Sequence, residues 1–324
     1  MKKIFEKLKK RKINLAWKPT KIELLENLWN NAKVYIKRDD YTGLITSGNK
    51  IRKLEYAIFD AKEKECDTLI TCGGLQSNHC RATAYAGKRE GFEVHLVLRG
   101  EPTEYQGNLL LDYLFGAKIK YVSYNEYKER INEILEEVAE DLKKKDKKPY
   151  IIPEGASNEV GCLGYVECMD EMKEFIKKEK IEAIYLAVGS GGTYAGLLIG
   201  KKLLNLDIRL VGIIVCDSIK FFKGKIEDIC EKAIKKYNLP IEISPSDIEL
   251  VDGYIGEGYG IPYKEEIELI KKISENYGII LDPVYTGKAF YGMLNESKEF
   301  KKILFLHTGG IFSIFAYNKE LIQM

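Results

Sequence analysis

Short apolar runs alternate with longer amphipathic stretches along almost the whole chain. Runs rich in Val, Ile and Leu are typical of buried strands, whereas apolar residues three or four positions apart are typical of helices. The alternation predicts an α/β fold in which helices cover both faces of a mostly parallel sheet. The predicted strands are 33–37, 68–72, 93–98, 118–122, 149–152, 183–188, 209–215 and 303–307. The predicted helices are 49–64, 78–90, 108–115, 126–145, 160–178, 193–204, 226–237 and 265–277.

Ligands of such folds bind at the carboxyl ends of the strands, so the strand-to-helix junctions are the places to seek a site. The junction after strand 183–188 reads Gly189-Ser190-Gly191-Gly192-Thr193. Glycines let main-chain N–H groups approach an anion at the start of a helix, which indicates a phosphate site. A plain tight turn is the structural alternative. A dinucleotide-binding loop is a third interpretation, weakened because Tyr194 stands where that motif has its last glycine.

A second unusual segment, 47–55, places a cluster of cations at the start of a predicted helix. Positive charge at a helix N-terminus opposes the helix dipole, which indicates a functional demand or a bound anion. A helix that begins near Asn49 places Lys50 and Lys53 on one face, one turn apart. Lys50 is then a candidate for a Schiff base and Lys53 for a phosphate contact. Ordinary surface lysines are the alternative in a chain so rich in lysine.

A third junction, Ser77-Asn78-His79, follows strand 68–72. Ser77 or Asn78 is a candidate helix cap, and the amides of a helix N-terminus are equally a candidate carboxylate site. The C-terminal third contributes further candidates in glycine-rich contexts, each of which also fits simple packing: Tyr259, Tyr285 and Thr308.

Composition narrows the possible functions. The chain has 324 residues, 45% hydrophobic and 31% charged, as expected for a globular protein of two domains or one large α/β unit. The net charge of +2 gives no electrostatic reason to expect nucleic acid. The 7 cysteines form no CxxC pair and only 3 histidines occur, so neither a disulfide framework nor a metal site is predicted. No apolar run is long enough for a membrane helix, and we expect a reduced, cytoplasmic protein.

Taken together, the motifs resemble the family of D-cysteine desulfhydrases and 1-aminocyclopropane-1-carboxylate (ACC) deaminases. These are pyridoxal 5'-phosphate (PLP) enzymes with the tryptophan synthase β-like fold, which is PLP fold type II. The resemblance runs from about residue 36 to 316 and rests on six strings in family order: 37–40, 48–55, 76–79, 189–193, 282–288 and 307–310. It implies two domains, each a mostly parallel sheet flanked by helices, with a small domain at 47–158 and a large one at 1–46 and 159–324. It also implies a homodimer.

The resemblance also implies residue roles. Lys50 would carry PLP and move the α-proton of a small amino-acid substrate. The loop Gly189, Ser190, Gly191, Gly192 and Thr193 would hold the phosphate with the aid of Lys53. Asn78 would bond the ring hydroxyl of the cofactor, and Thr308 its pyridine nitrogen. The implied catalytic residues are Lys50, Ser77, Tyr259 and Tyr285. The implied substrate-binding residues are Ser77, Asn78, His79, Tyr285 and Thr286, with Ser77 and His79 at the substrate carboxylate.

Three positions bear on the substrate. ACC deaminases typically carry glutamate where Thr286 stands, leucine where Thr308 stands and glutamine where His79 stands. The sequence therefore favours α,β-elimination of D-cysteine to pyruvate, sulfide and ammonia. ACC deaminase and L-cysteate sulfo-lyase remain alternatives, because Ser47 and the segment 73–75 depart from the usual family strings. Other classes also stay open: a nucleotide-dependent oxidoreductase, and a protein that binds PLP or an amino acid without turnover.

Overall fold

Two separate sheets form the framework of the protein, as seen in a computed structural model that describes residues 2–28 and 32–323. The strands are β1 (Ile22–Leu25), β2 (Lys33–Arg38), β3 (Thr68–Gly74), β4 (Glu93–Arg99), β5 (Lys118–Val122), β6 (Pro149–Ile151), β7 (Ala183–Val188), β8 (Arg209–Ile214), β9 (Glu249–Val251) and β10 (Lys302–His307). The larger sheet has the order β1-β2-β10-β7-β8-β9 and the smaller sheet β5-β4-β3-β6. Among these strands β1 runs antiparallel to β2, and the other neighbours are parallel.

Helices connect the strands. They are α1 (Lys2–Lys9), α2 (Lys50–Glu63), α3 (Asn78–Arg89), α4 (Gly107–Leu114), α5 (Tyr124–Lys143), α6 (Leu163–Glu179), α7 (Gly192–Leu204), α8 (Ile219–Tyr237), α9 (Lys264–Tyr277), α10 (Thr286–Glu296) and α11 (Asn318–Gln323). Short 3-10 turns lie at Asp39–Tyr41, Glu154–Ala156, Pro245–Asp247 and Ser313–Ala316. None of the helices in the part of the chain that the structure describes combines the length and apolar composition needed to cross a membrane.

Both faces of each sheet are covered. Residues of α1, α6, α7 and α8 pack on one face of the larger sheet, and residues of α9 and α10 pack on the other. In the smaller sheet α2, α3 and α4 cover one face and α5 the other. Parallel sheets are stable when both faces are buried, which explains the continuous apolar runs of the sequence. The predicted fold class, mostly parallel sheets flanked by helices, is confirmed.

The predicted elements are present, with differences at their ends and several omissions. Helix α8 begins at Ile219, two turns before the predicted start at 226. The sequence reading missed β1 and β9, which are edge strands of 4 and 3 residues. It also missed α1, α10 and α11. Gly287 and Gly292 weaken the helix signal of α10, which is stabilised by burial of its apolar face against the larger sheet.

Helix α2 lies where the two sheets meet. Ile51, Leu54 and Ala57 pack with the core of the smaller sheet, whereas Tyr56 belongs to the core of the larger one. The strands of the smaller sheet all fall between residues 68 and 151, and those of the larger sheet lie before 39 and after 182. The domain bounds 47–158 and 1–46 with 159–324 stay a prediction that is compatible with this division.

Candidate active site

A cavity lies where the carboxyl ends of strands from both sheets meet. Its wall comes from the junctions after β3, β6, β7 and β10 and from the start of α2. The structure brings the following predicted site residues to this wall: Lys50, Ser77, Asn78, His79, Gly189, Ser190, Gly191, Thr193, Tyr259, Tyr285 and Thr308. Three others stand behind it: Lys53, Gly192 and Thr286.

Lys50 is the first residue of α2 and reaches the cavity with its amine. The Nζ atom donates to Oδ1 of Asn49 at 2.8 Å, and Asn49 donates in turn to Oγ1 of Thr193 at 3.0 Å. Burial lowers the pKa of Lys50 to about 8, opposed by Asp282 and Glu154 and reinforced by Arg81. A neutral fraction of the amine is therefore present near neutral pH, and the neutral amine is the nucleophilic form.

Contact between two backbones fixes the position of Lys50. Gly48 has φ +110° and Gly309 has φ +90°. A Cβ atom on Gly48 would lie 2.8 Å from the carbonyl oxygen of Thr308, and one on Gly309 would lie 2.5 Å from the Cα atom of Gly48. The amide of Asn49 donates to the same Thr308 oxygen at 3.0 Å. The glycines allow this approach, which places the start of α2 beside Thr308.

The loop Gly189–Thr193 leads into α7, and Gly191 precedes that helix with φ +82°. The N–H groups of a first helical turn have no partner within the helix, so they face an anion readily. Ser157 supports the loop from behind: its hydroxyl donates to Oγ of Ser190 at 2.8 Å and accepts from the amide of Gly192 at 3.3 Å. Gly192 leaves room for this contact, since a Cβ atom there would lie 2.6 Å from Oγ of Ser157.

Lys53 stands behind the same loop. Its side chain is fully buried, and Nζ donates to Oγ of Ser157 at 3.3 Å. Burial, with the charges of Lys50 and Lys225, holds the pKa of Lys53 well below its usual range. Lys53 is thus linked to the loop through Ser157. Its direct contact with a phosphate stays a prediction.

Ser77 caps a helix and also lines the cavity, while its role at a substrate carboxylate stays a prediction. Its Oγ accepts from the amide of Cys80 at 3.2 Å and caps α3, and the residue also lines the cavity. Asn78 is oriented by its neighbours: its Oδ1 accepts from Asn108 at 3.1 Å and from Arg81 at 3.4 Å. Arg81 is fully buried and also donates to the carbonyl oxygen of Ser47 at 2.9 Å, which ties α3 to the segment before Lys50.

His79 presents a hydrogen-bond acceptor. Its Nε2 lies 2.8 Å from Oγ1 of Thr71, which gives its own proton to the carbonyl oxygen of Ile152 at 2.8 Å. Nε2 must therefore carry the ring proton. Within residues 2–28 and 32–323 the buried Nδ1 has no hydrogen-bond partner, and burial with the charges of Lys50 and Lys53 holds the pKa of His79 well below its usual range. A neutral ring with a bare Nδ1 can accept a hydrogen bond from a donor such as a thiol. The role of His79 at the substrate carboxylate stays a prediction.

Two tyrosines close the cavity. The hydroxyl groups of Tyr259 and Tyr285 lie 2.5 Å apart, and Nζ of Lys50 lies 5.7 Å from the ring centroid of Tyr285. Burial raises the pKa of both phenols, so each remains protonated at neutral pH. Gly189 faces Tyr285, since a Cβ atom on Gly189 would lie 2.9 Å from that ring.

Thr286 does not reach the cavity. It is fully buried at the start of α10. Its hydroxyl group donates to Oδ1 of Asp282 at 2.7 Å, and the hydroxyl oxygen of Thr286 accepts from the amide of Asp282 at 2.8 Å. The structure therefore corrects its expected position in the cavity wall to one behind it. Its influence on substrate choice stays a prediction.

Sequence reasoning missed two residues at this site. Glu154 lines the cavity and also an adjoining cleft of about 880 Å³, and Ser157 holds the glycine loop. Both follow β6, where Pro153 and Gly155 interrupt the pattern directly after a strand. That is the same signal that singled out the other junctions.

These features fit PLP. An amine of lowered pKa can bind an aldehyde, and a glycine loop at a helix N-terminus can bind a phosphate. Asn78 can present its amide nitrogen, because its oxygen is already engaged. Thr308 supplies a hydroxyl to the same cavity.

Comparison with known proteins agrees with this interpretation. The profile of a family described as pyridoxal-phosphate dependent enzyme matches residues 13–309. A Thermotoga maritima protein with a provisional name as an ACC deaminase is 45% identical over 315 residues, which cover 96% of this chain and 100% of that protein. The Arabidopsis thaliana protein named bifunctional D-cysteine desulfhydrase/ACC deaminase, mitochondrial, is 39% identical over 321 residues, 93% of this chain and 79% of that protein. A crystal structure of an ACC deaminase homologue superposes with a TM-score of 0.92 at 41% identity, covering 100% of this chain and 99% of that chain.

Proposed function

Because the chain belongs to the family of pyridoxal-phosphate-dependent enzymes, and within it to the ACC deaminases and D-cysteine desulfhydrases, we propose that it degrades D-cysteine. The reaction consumes water and releases pyruvate, hydrogen sulfide and ammonia. The observation that carries the proposal is the amine of Lys50 at a cavity that is also lined by the glycine loop before α7 and by His79.

The chain's own residues would hold PLP at two ends. Lys50 would bind it covalently, and the loop Gly189–Thr193, supported by Ser157 and Lys53, would bind its phosphate. Asn78 and Thr308 would donate hydrogen bonds to its ring. When bound, PLP withdraws electrons from the substrate, which acidifies the Cα–H bond and promotes loss of the β-substituent.

The remaining chemistry is binding and proton movement. The hydroxyl of Ser77 and the first amides of α3 bind the substrate carboxylate. The neutral amine of Lys50 takes the proton from Cα. The phenol pair Tyr259–Tyr285 stays protonated and donates a hydrogen bond towards the leaving group.

Two features support D-cysteine as the substrate. His79 lines the cavity with a ring whose pKa burial lowers, and its neutral form would offer Nδ1 as an acceptor to a substrate thiol. Position 286, where ACC deaminases carry glutamate, brings no carboxylate to the cavity, because it is a buried threonine bonded to Asp282. ACC is the second candidate, since two relatives at 45% and 39% identity carry ACC deaminase in their names.

The test supplies D-cysteine, L-cysteine, L-cysteate and ACC in parallel to purified protein loaded with PLP. Sulfide and pyruvate from D-cysteine, with little 2-oxobutyrate from ACC, is the expected result. Borohydride reduction and peptide mass spectrometry should locate the cofactor on Lys50. Preferential release of 2-oxobutyrate would transfer the assignment to ACC, and preferential release of sulfite would transfer it to L-cysteate. A protein that takes up no PLP would overturn the proposal as a whole.

We also propose a homodimer in a reducing compartment such as the cytoplasm. The cysteines are free in the structure, as expected where thiols stay reduced. Trp17, Tyr41 and Leu44 expose 70%, 50% and 77% of their surface close to the segment before Lys50, and a second copy would cover them. Sedimentation should give twice the chain mass of 37.1 kDa, and Leu44→Glu should shift the equilibrium towards monomer. A parent protein that sediments as a monomer at all concentrations would exclude the dimer.

A further inference from the structure

Lys288 is a buried lysine in the first turn of α10, outside the cavity wall. Its side chain is fully buried, and Nζ donates to the carbonyl oxygens of Ile255 at 2.5 Å, Gly258 at 3.0 Å and Ile261 at 2.9 Å. An ammonium group has three N–H donors, so each of them is hydrogen-bonded to one main-chain carbonyl oxygen.

The charge of Lys288 is offset by these carbonyl groups rather than by a bonded carboxylate. Glu266 and Asp282 are the acids whose charges act most on Lys288, but the buried carboxylate oxygens of Glu266 have no hydrogen-bond partner in the part of the chain that is described. Burial raises the pKa of Glu266 to about 8, which favours its neutral form at neutral pH. Asp282 is occupied by the amides of Val284 and Tyr285 and by Thr286. The ammonium thus sits in a cage of carbonyl oxygens, as a small inorganic cation would.

The segment around the ammonium is irregular. Residues 252–263 form neither helix nor strand, and Gly256 and Gly260 have φ +70° and +73°. This is the segment that carries Tyr259, whose hydroxyl meets Tyr285 over the cavity while 37% of the residue is exposed. The carbonyl groups bonded to Lys288 lie on both sides of Tyr259 in the chain, so the ammonium defines the path of the loop at this residue.

We propose that Lys288 is a positioning residue whose ammonium folds the segment 255–261 around itself and so holds Tyr259 against Tyr285. The role rests on the proposed function, because Tyr259 and Tyr285 act on the substrate of that reaction. Lys288 itself does not touch the cavity. Its effect passes through the loop conformation, and any cation of suitable size in the same cage should produce it.

The test removes the ammonium and then supplies a cation from solution. Lys288→Ala leaves the carbonyl groups and an empty volume, so we expect kcat to fall about a hundredfold, as for a misplaced catalytic group. Ammonium or potassium ions at high concentration should raise kcat of Lys288→Ala at least tenfold. Tetramethylammonium, which is too large for the cage, should not raise it. Lys288→Met fills the space and should lose the same activity without rescue. Lys264→Ala, at an exposed lysine in the first turn of α9, is the matched control and should keep the parent rate.

Amide hydrogen exchange gives a readout that does not depend on turnover. Segment 253–262 should exchange faster in Lys288→Ala than in the parent, and ammonium ions should slow that exchange again. Combining Lys288→Ala with Tyr259→Phe should reduce kcat little below Tyr259→Phe alone, because both changes act through one phenol.

Several outcomes would overturn the proposal. They are parent-like exchange and kinetics in folded Lys288→Ala, a loss that no cation restores, and failure of both Lys288 variants to fold, which would make the residue purely structural. Failure of the proposed function is distinguishable from these outcomes. In that case the parent would lack PLP or turnover, while the exchange experiment would still report on the loop.

Discussion

The two faces of α2 both carry buried cations, but the cations of one face are bonded to acids and those of the other to neutral groups. On one face Arg52 is fully buried and bonded to acids: it donates to both oxygens of Asp39 at 2.8 Å and to Glu171 at 2.9 Å. Burial alone would raise the pKa of Asp39, but Arg52 and Lys37 outweigh it and hold the value at about 2. Tyr165 and Thr20 donate to the same carboxylate at 2.6 and 2.7 Å. Every charge on this face has an opposite charge beside it.

On the other face Lys50 and Lys53 are bonded to Asn49 and Ser157, which are neutral. Burial therefore lowers the pKa of both lysines, whereas in Arg52 the neighbouring acids outweigh burial and raise the pKa. One helix thus carries paired cations that fix its position and unpaired cations that are available for chemistry. The difference lies in the supply of acids, since both faces are removed from bulk water.

The largest expected effect comes from the unpaired face. Lys50→Ala should reduce elimination to below about one thousandth of the parent rate, because the variant lacks the amine that binds the cofactor and takes the proton. Melting temperature should be unchanged or higher, since an unpaired buried cation is removed. Lys64→Ala, at the exposed end of the same helix, is the control for both measurements. Substantial turnover by Lys50→Ala would show that the contrast between the faces has no catalytic meaning.

The paired face should respond in the opposite way. Arg52→Met leaves the carboxylates of Asp39 and Glu171 buried without their partner, so the free energy of unfolding should fall by about 3–5 kcal/mol. Urea denaturation followed by circular dichroism measures the loss. Arg130→Met breaks an exposed ion pair on α5 and should lower stability by less than about 1 kcal/mol. Equal losses in the two variants would contradict the assignment of Arg52 as an anchor.

Acid titration sharpens the comparison further. The folded-state pKa of Asp39 lies below its ordinary value of 3.8, so its stabilising contribution is complete above about pH 4 and is lost as the pH falls towards 2. Between these values the parent should lose about 2 kcal/mol that Asp39→Asn does not lose. Urea midpoints collected from pH 5 to pH 2 provide the measurement. Parallel pH profiles in the two proteins would mean that Asp39 is not held ionised by Arg52.

The smallest effect is expected at Lys53, which reaches the glycine loop through one contact of 3.3 Å. Lys53→Met should weaken PLP binding about tenfold, the equivalent of about 1.4 kcal/mol. Ser157→Ala should have a similar effect, and the double variant should be little worse than either single one. Fluorescence titration with PLP measures the dissociation constants. Additive losses would show that Lys53 acts on the phosphate independently of Ser157.

The sequence predicted what is local and missed what depends on distant partners. The glycine junctions were recognisable because each follows a buried strand directly, and the structure brings them to one cavity. Lys53 was expected at the phosphate and Thr286 at the substrate because their neighbours in the chain line the cavity, whereas Ser157 and Asp282 bond them outside its wall. The pairing of Arg52 with Asp39 joins a helix to a turn 13 residues away, and no periodicity indicates it. The carbonyl groups around Lys288 lie 27 to 33 residues before it in the chain, and no sequence pattern indicates their contact with it.

The order of strands in the larger sheet has a consequence for how the protein is made. β10, the last strand of the sequence, lies between β2 and β7. During synthesis on the ribosome, β2 therefore cannot pair with β10 until the residues up to 307 have emerged. A nascent chain carries Lys50 long before Thr308 and Gly309 exist to complete the cavity. Lys50 is thus synthesised well before the residues that enclose it, so the proposed capture of the vitamin-derived aldehyde in this cavity requires synthesis to have passed Gly309.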